Sequence, residues 1–303
     1  MQALLLAAGL GTRLDPLTRL VAKPAVPLGD RSLVEHVVSW LCAQGITDLI
    51  LNLHHRPASI AAIVGDGHHL GVRVRYSWEQ PVLGSAGGPR HALPLMDSDP
   101  FLIVNGDTLC DMSLAPMIEA HGSSGADVTM AVVPNPAPDH YNGIAADADG
   151  RVQGFVPRGR AAGTWHFVGV QIVSRRVFAG LEDGRVAETV AGIYPALVEA
   201  RPGSIRVWPT GATFLDVGTP RDYLRAASRL GLGQGSERVT RSFVWPGVTL
   251  GPHVTLDECI VAGGVSLPDR FTARSSVIVP ASVAREGDAA DIRGPVALFP
   301  MRG

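Results

Sequence analysis

The chain has 303 residues, of which 46% are hydrophobic and 18% charged, enough for one large domain with a small companion or for two of medium size. A net charge of −2 excludes function classes that rest on attraction to nucleic acid or to an anionic membrane surface, while leaving room for small anionic ligands held by a local cluster. Cys42, Cys110 and Cys259 are odd in number, far apart and without metal or disulfide spacing, no apolar run is long enough for a bilayer span, and the first apolar run lacks a basic lead, so the expectation is a soluble protein of the cytoplasm.

Residues 3–8 (ALLLAA) have the length of a buried strand and run into a loop carrying Gly9, Gly11, Thr12, Arg13 and, ten residues after Arg13, Lys23. Ser32 with Glu35 forms a capping box, and Leu33, Val34, Val37, Val38 and Leu41 keep helical spacing up to Gly45. The loop is thus held between a strand and a helix. It fails the dinucleotide fingerprint, because Leu14 stands where the third glycine belongs, and it fails the P-loop pattern, because no lysine follows Gly11. What remains is a loop whose small residues let an anion approach, with one guanidinium and one ammonium to share among phosphates. Of the 26 basic residues only residue 23 is lysine, which points to a site that needs a compact charge rather than a planar fork.

Residues 9–18 (GLGTRLDPLT) followed by 22–37 (AKPAVPLGDRSLVEHV) closely resemble the signature of the sugar-1-phosphate nucleotidyltransferases, a family that includes mannose-1-phosphate guanylyltransferases and glucose-1-phosphate thymidylyl- and uridylyltransferases. The resemblance implies that Arg13 and Lys23 contact the triphosphate and the sugar phosphate, and that Ala7, Ala8, Gly9, Gly11 and Thr12 lie along the nucleotide. It also implies a Rossmann-like α/β fold with an open, mostly parallel sheet.

Further along, residues 48–53 (DLILNL) read as a strand, 57–64 as a short helix and 72–76 (VRVRY) as an alternating strand. Residues 79–92 (EQPVLGSAGGPRHA) form a second small-residue loop running into a helix. Gly84, Ala86, Gly87 and Gly88 leave room for a flat base, and Gln80 offers its edge both a donor and an acceptor. The stretch resembles the family's base-binding segment, with Ser85 and Gly88 in place of a threonine and an alanine.

Residues 100–104 (PFLIV) read as a central parallel strand ending in Asn105-Gly106-Asp107. Ligands gather at the carboxyl ends of such strands, and a carboxylate beside a triphosphate requires an intervening cation, for which Mg²⁺ is the expected choice. Asp107 matches the family's metal position, and Asp216 in residues 213–220 (TFLDVGTP) matches its second metal carboxylate, with Thr219 capping and Pro220 opening the next helix. Residues 126–133, 165–173 and 205–209 read as strands and 193–199 as a helix. Gly143 in residues 141–144 (YNGI), with His166 and Gly169 in residues 165–173 (WHFVGVQIV), resembles the sugar-facing side, Phe167 being a further candidate. One departure stands out: where many members carry Glu-Lys-Pro after a Phe and one more residue, this chain has Phe155-Val156-Pro157-Arg158, so the Glu and Lys that hold the sugar are absent, with Arg158 and Arg160 as the nearby charges.

Residues 230–236 (LGLGQGS) read as a linker, after which Val248, Val254 and Ile260, and likewise Leu250, Leu256 and Ala262, recur every six positions. That rhythm predicts about two turns of a left-handed parallel β-helix with three six-residue sides, packed on the remaining chain or on a second subunit of a homo-oligomer. The expected division is a transferase domain over 1–232, a cap over 240–285 and a tail over 286–303. The pairs His54-His55 and His68-His69 lack a third ligand at useful spacing and predict no zinc site. The implied activity is nucleotidyl transfer from a nucleoside triphosphate, best GTP, to a mannose- or heptose-like 1-phosphate. Uridylyl and thymidylyl transfer remain as alternatives, as do a non-catalytic nucleotide-sugar sensor, motivated by the missing Glu-Lys pair, and a molybdopterin-type nucleotidyltransferase, disfavoured by DVGTP and the β-helical end.

Overall fold

A computed structural model describes residues 1–232 and 234–302. Its contacts divide the chain into two compact units, one made of Met1–Gly9, Val37–Pro57 and Val64–Phe214, the other of Leu10–His36, Ala58–Ile63 and Leu215–Gly303.

The first unit is built on a large sheet. Across it the strands run Ile205–Pro209, Val128–Pro134, Trp165–Val173, Phe101–Asn105, Ala3–Leu6, Asp48–Leu53 and Arg73–Trp78, with Gly143–Ala146 and Val152–Val156 joining beside Trp165. Strands 165–173 and 152–156 run against the others, so the sheet is mostly parallel and the 101–105 strand has one parallel and one antiparallel neighbour. The central strands are apolar on both faces because both are covered: Leu4, Ile50, Phe101, Ile103 and Met130 share a core with Ala86, Ala92, Phe178 and Tyr194 from the flanking helices. Tyr194, wholly buried, donates its hydroxyl to Gln171 at 2.7 Å, which satisfies both polar groups inside that core.

In the second unit the Ser32–Glu35 box closes as expected, the Ser32 amide donating to Glu35 Oε2 at 2.6 Å and the Glu35 amide to Ser32 Oγ at 3.4 Å. Helix Pro220–Arg229 begins with a second capping box, Thr219 with Asp222, and its buried Tyr223 donates to the carbonyl of Pro27. The coil that follows stacks Val239 on Leu256, Phe243 on Ile260, Thr249 on Ser266 and Thr255 on Thr272, each offset by 17 residues. A side of five residues therefore replaces one of the three expected sides of six. The corners mark it: positive φ recurs at Arg241, Glu258 and Ser275, at Gly247 and Gly264, and at His253 and Arg270. The six-residue rhythm from Val248 to Val254 therefore continues one position early, at Cys259, Val265 and Phe271; these five line one core, and Ile260, expected in that row, is not among them.

Two sides stack three layers deep, ending at Thr272–Arg274 and Ser276–Pro280, one layer more than the sequence rhythm suggests. Within the stretch read as a tail, Asp291–Arg293 and Val296–Pro300 form a hairpin that pairs antiparallel to 276–280. Part of the stretch read as a linker, Gln234–Ser236, pairs with Val239–Val244; Gly233 of that linker and Gly303 of the tail lie outside the described residues.

Arg19 ties the front of this unit to its end. Its guanidinium bonds Asp15 at 2.7 Å, Asp288 at 3.0 Å and the Val283 carbonyl at 3.2 Å, and lies 5.3 Å above the Phe299 ring. Arg19, with a further bond from the Arg285 amide, holds the Asp288 carboxyl at about 2, below its ordinary 3.8. A carboxyl lowered on folding adds stability in full above its unfolded pKa, and that share is lost as pH falls through the folded value. Acid titration of the folded protein should therefore show a stability loss between these two values that Asp288→Asn removes; an identical pH profile in the variant would contradict the tether.

Candidate active site

At the carboxyl edge of the first unit's sheet, Leu6 stands in register with Asn52 on one side and Asn105 on the other. Asn52, a lone amide in an apolar strand, accepts from the amides of Ala7 at 2.6 Å and Ala8 at 3.3 Å. The expected donation of small-residue amides to an anion therefore does not extend to Ala7 and Ala8, whose N–H groups point inward. The Asn52 amide donates to Glu79 Oε1 at 2.7 Å, and Glu79 Oε2 accepts from the Leu83 amide at 2.8 Å. Asn52 and Glu79 are 3% and 4% exposed, so this fully bonded pair joins the two glycine loops inside the unit. Sequence reasoning missed it, although a polar residue inside DLILNL was the available signal. Gly9 is exposed with nothing within 4 Å of a Cβ placed on it, and Gln80 is exposed at the head of the second loop.

Helix Gly84–Ala92 starts inside the stretch read as a loop. Its glycines make room for the protein itself: a Cβ on Gly84 would meet Glu188 Oε1 at 2.6 Å and the Ala187 carbonyl at 2.7 Å, one on Gly87 the Arg185 carbonyl, and one on Gly88 Glu79 Oε1 at 2.5 Å. Ser85, in place of the family's threonine, accepts from the Thr189 amide at 2.8 Å and also bonds Glu188, which fixes the helix start to the 185–189 segment.

Asp107 is half-buried two residues beyond strand 101–105, and the Thr108 hydroxyl donates to it at 3.3 Å. Gly169, at φ 82°, sits at an irregularity in strand 165–173, where a Cβ would lie 3.1 Å from Asn105, so the strand comes close to the Asn105-Gly106-Asp107 turn only with glycine there. Gly143 is buried against Thr164, which occupies the space a Cβ would need. His166 lies between the rings of Tyr141 and Phe214, at 4.3 and 5.1 Å, and burial pushes its pKa down, which keeps the ring neutral near pH 7. His54 bonds the Glu79 carbonyl at 2.9 Å, a structural role.

In the second unit Gly11 takes φ 64°, and a Cβ there would lie 2.7 Å from Thr18 Cγ2 and 3.1 Å from Lys23 Cβ. The loop turns tightly enough to bring Lys23 beneath it, and Lys23 is only 7% exposed, whereas Thr12 and Arg13 are exposed. Around Gly218 three charged groups meet: Asp216 Oδ2, Arg13 Nη1 and Asp222 Oδ2 stand 3.1, 3.2 and 3.3 Å from the position of its absent Cβ. Arg13 and Asp216, assigned separate tasks from the sequence, are therefore neighbours, and Asp222 is an addition.

Among the described residues no three His, Cys, Asp or Glu side chains cluster as a metal cage. The donors in question, Asp107 and Asp216, are half-buried carboxylates, hard oxygen ligands of the type Mg²⁺ takes sparingly from protein while phosphates and water complete its shell. Each of the two, taken by itself, is a donor that fits Mg²⁺.

A nucleotidyl transferase family model matches residues 2–231. The mannose-1-phosphate guanylyltransferase of Mycobacterium tuberculosis is 28% identical over 289 residues, covering 88% of this chain and 80% of its own. The mannose-1-phosphate guanyltransferase of Emericella nidulans is 30% identical over 230 residues, covering 74% and 62%. The crystal structure of HddC from Yersinia pseudotuberculosis superposes with a TM-score of 0.67 at 24% identity, covering 76% of this chain and 99% of that one, which establishes the likeness of fold. The chain belongs to the nucleotidyl transferase family. It is an enzyme of that class, and its relatives are sugar-1-phosphate nucleotidyltransferases. Among the described residues no helix is long and apolar enough to cross a membrane.

Proposed function

We propose that the chain joins GTP and a mannose- or heptose-like 1-phosphate into a nucleoside-diphosphate sugar and pyrophosphate. The match to the mycobacterial guanylyltransferase over 88% of this chain carries the reading. In it, residues 1–232 hold the transferase chemistry, 240–285 the cap and 286–303 the tail, and the protein works as a homo-oligomer.

The acceptor phosphate is already an anion, so the attack on the α-phosphorus needs no protein nucleophile; the obstacle is bringing two polyanions together. Arg13 stands by the departing phosphates, exposed and so able to follow them, while buried Lys23 offers a fixed charge to the attacking and α-phosphates. Asp107 and Asp216 would hold Mg²⁺, which supplies charge neutralisation to the phosphate oxygens. Gly9, Gly11 and Thr12 line the nucleotide, with Ala7 and Ala8 contributing shape rather than amides. Gln80, Gly84 and Gly87 belong to the base side. Gly143, His166 and Gly169 face the sugar, where neutral His166 between two rings offers a hydroxyl a bond without adding charge. No residue of the 155–158 segment restores the missing Glu-Lys pair, and the amide of Arg158 is bonded to Asn142 at 3.0 Å.

The test is pyrophosphate release with each nucleoside triphosphate against mannose, heptose and glucose 1-phosphates. GTP with mannose or heptose 1-phosphate should exceed the other pairs in kcat/KM; preference for UTP or dTTP would overturn the base assignment while leaving the reaction class intact.

A further inference from the structure

Helix Pro220–Arg229 and the coil border an open pocket of about 280 Å³ that the transfer chemistry does not use. Leu224, Ala227 and Phe243 give it an apolar floor, and the guanidiniums of Arg221, Arg225 and Arg241 stand around it, with Glu258 as the acidic member of the lining. Each guanidinium is tied to one carboxylate, Arg221 to Glu258 at 2.9 Å, Arg225 to Asp222 at 3.0 Å and Arg241 to Asp257 at 2.7 Å, with Arg225 and Arg241 the more exposed. The Arg221 and Arg225 pairs rest on one bond each and hold weakly, whereas Arg241 grips Asp257 through Nε and Nη2 and has its Nη1 to offer. A phosphate dianion offers three oxygens to such forks and gathers charges that otherwise repel one another. A bare anion would leave the apolar floor uncovered; a ring attached to it would not, and the volume suits a body no larger than a sugar or nucleoside.

We propose that this cavity binds the phosphate monoester of a small ring-bearing metabolite, and that its occupancy weakens the enzyme's hold on the triphosphate. The route lies inside the second unit. Asp222 Oδ1 takes Arg225, while Asp222 Oδ2 accepts from the Thr219 amide and hydroxyl at 3.1 and 2.8 Å and stands at the Gly218 meeting point with Arg13 and Asp216. An anion that draws Arg225 into the cavity leaves the Asp222 carboxylate uncompensated there. Arg13, which meets Asp222 at Gly218, is the cation placed to answer it, and an Arg13 engaged by Asp222 is withdrawn from the leaving phosphates. The binding half of the proposal is independent of the substrate assignment; the coupling half rests on the role given to Arg13.

The experiment titrates ribose 5-phosphate, which has no anomeric phosphate to act as acceptor, and separately inorganic phosphate, into the full chain by calorimetry. Ribose 5-phosphate should bind roughly tenfold more tightly than phosphate because its ring covers the floor. The double variant Arg221→Ala/Arg241→Ala should weaken ribose 5-phosphate by about tenfold or more while keeping its melting temperature and its turnover in the absence of ribose 5-phosphate. Lys23→Ala should leave that binding intact. In wild type, ribose 5-phosphate should raise KM for the triphosphate and lower kcat/KM, because Arg13 serves the departing phosphates. Equal affinity for the two probes overturns the ligand class. Binding lost in Lys23→Ala but kept in the arginine variant puts the anion in the transferase site alone and overturns the cavity. An unmoved KM overturns the coupling even if binding is seen.

Discussion

Replacing Asp107 with Asn is expected to lower kcat by about 100- to 1,000-fold, the cost typical of removing one charged contact at a reacting phosphate. The substitution is nearly isosteric and keeps an oxygen for the Thr108 hydroxyl, so the turn after strand 101–105 should survive unchanged. What it removes is a negative charge at the carboxyl edge of the sheet, where an ion pairing with phosphate would need it. Two readouts separate the causes: turnover across a Mg²⁺ titration, and Mn²⁺ binding followed by electron paramagnetic resonance in the presence of the triphosphate. Both should fall while the melting temperature stays within a degree or two. Near-normal turnover would remove Asp107 from the metal site and would leave Asp216 beside Arg13 as the carboxylate to examine.

Gly88→Ala should have a large effect on stability. An added methyl would stand 2.5 Å from Glu79 Oε1 and 2.9 Å from Asn52 Nδ2, both belonging to buried side chains. Glu79 would have to leave Asn52 or Leu83, stranding a buried carboxylate, and overpacking together with a broken buried bond costs about 2–3 kcal/mol. For a domain of this size that is a fall of roughly 5–10 °C in melting temperature. Gly9→Ala is the control, since nothing lies within 4 Å of its added methyl, and it should melt as wild type does. If Gly88→Ala melts with it, the Asn52–Glu79 pair is not the rigid link between the loops that its geometry indicates.

These two glycines also show what could be read from the sequence and what could not. The local signals were dependable. The Ser32–Glu35 box, strands 48–53, 165–173 and 205–209, and the acid closing the 214–216 strand each depend on neighbours in sequence, and each is found where expected. The glycines of helix 84–92 were visible as small residues, but the reason for their smallness, the carbonyls of Ala187 and Arg185 and the carboxylate of Glu79, comes from segments whose approach only the folded chain defines. Asn52 looked like one polar residue in a strand, and nothing in its neighbours indicated that it would take the amides of Ala7 and Ala8.

The coil was legible as long as six-residue sides followed one another, and slipped at the five-residue side between His253 and Glu258, where Cys259 takes the inward place expected of Ile260. The hairpin at 291–300 carried no motif, since its strands are specified by pairing with the 276–280 strand rather than by their own pattern. Thr219 was legible as a capping residue; its partner Asp222 was not singled out, and the place of Asp222 beside Arg13 and Asp216 follows from the fold of the second unit.

The central claim is that Arg13 and Lys23 exist to join two phosphorylated substrates. Following GTP and mannose 1-phosphate by phosphorus NMR with Mg²⁺ present tests it directly, because both products are seen in one spectrum. The account predicts equal amounts of pyrophosphate and GDP-mannose, with the signals of both substrates falling together and with little product from Lys23→Ala. GTP consumed at the same rate without any sugar phosphate, or no pyrophosphate from this pair or any other triphosphate and sugar 1-phosphate, would contradict it.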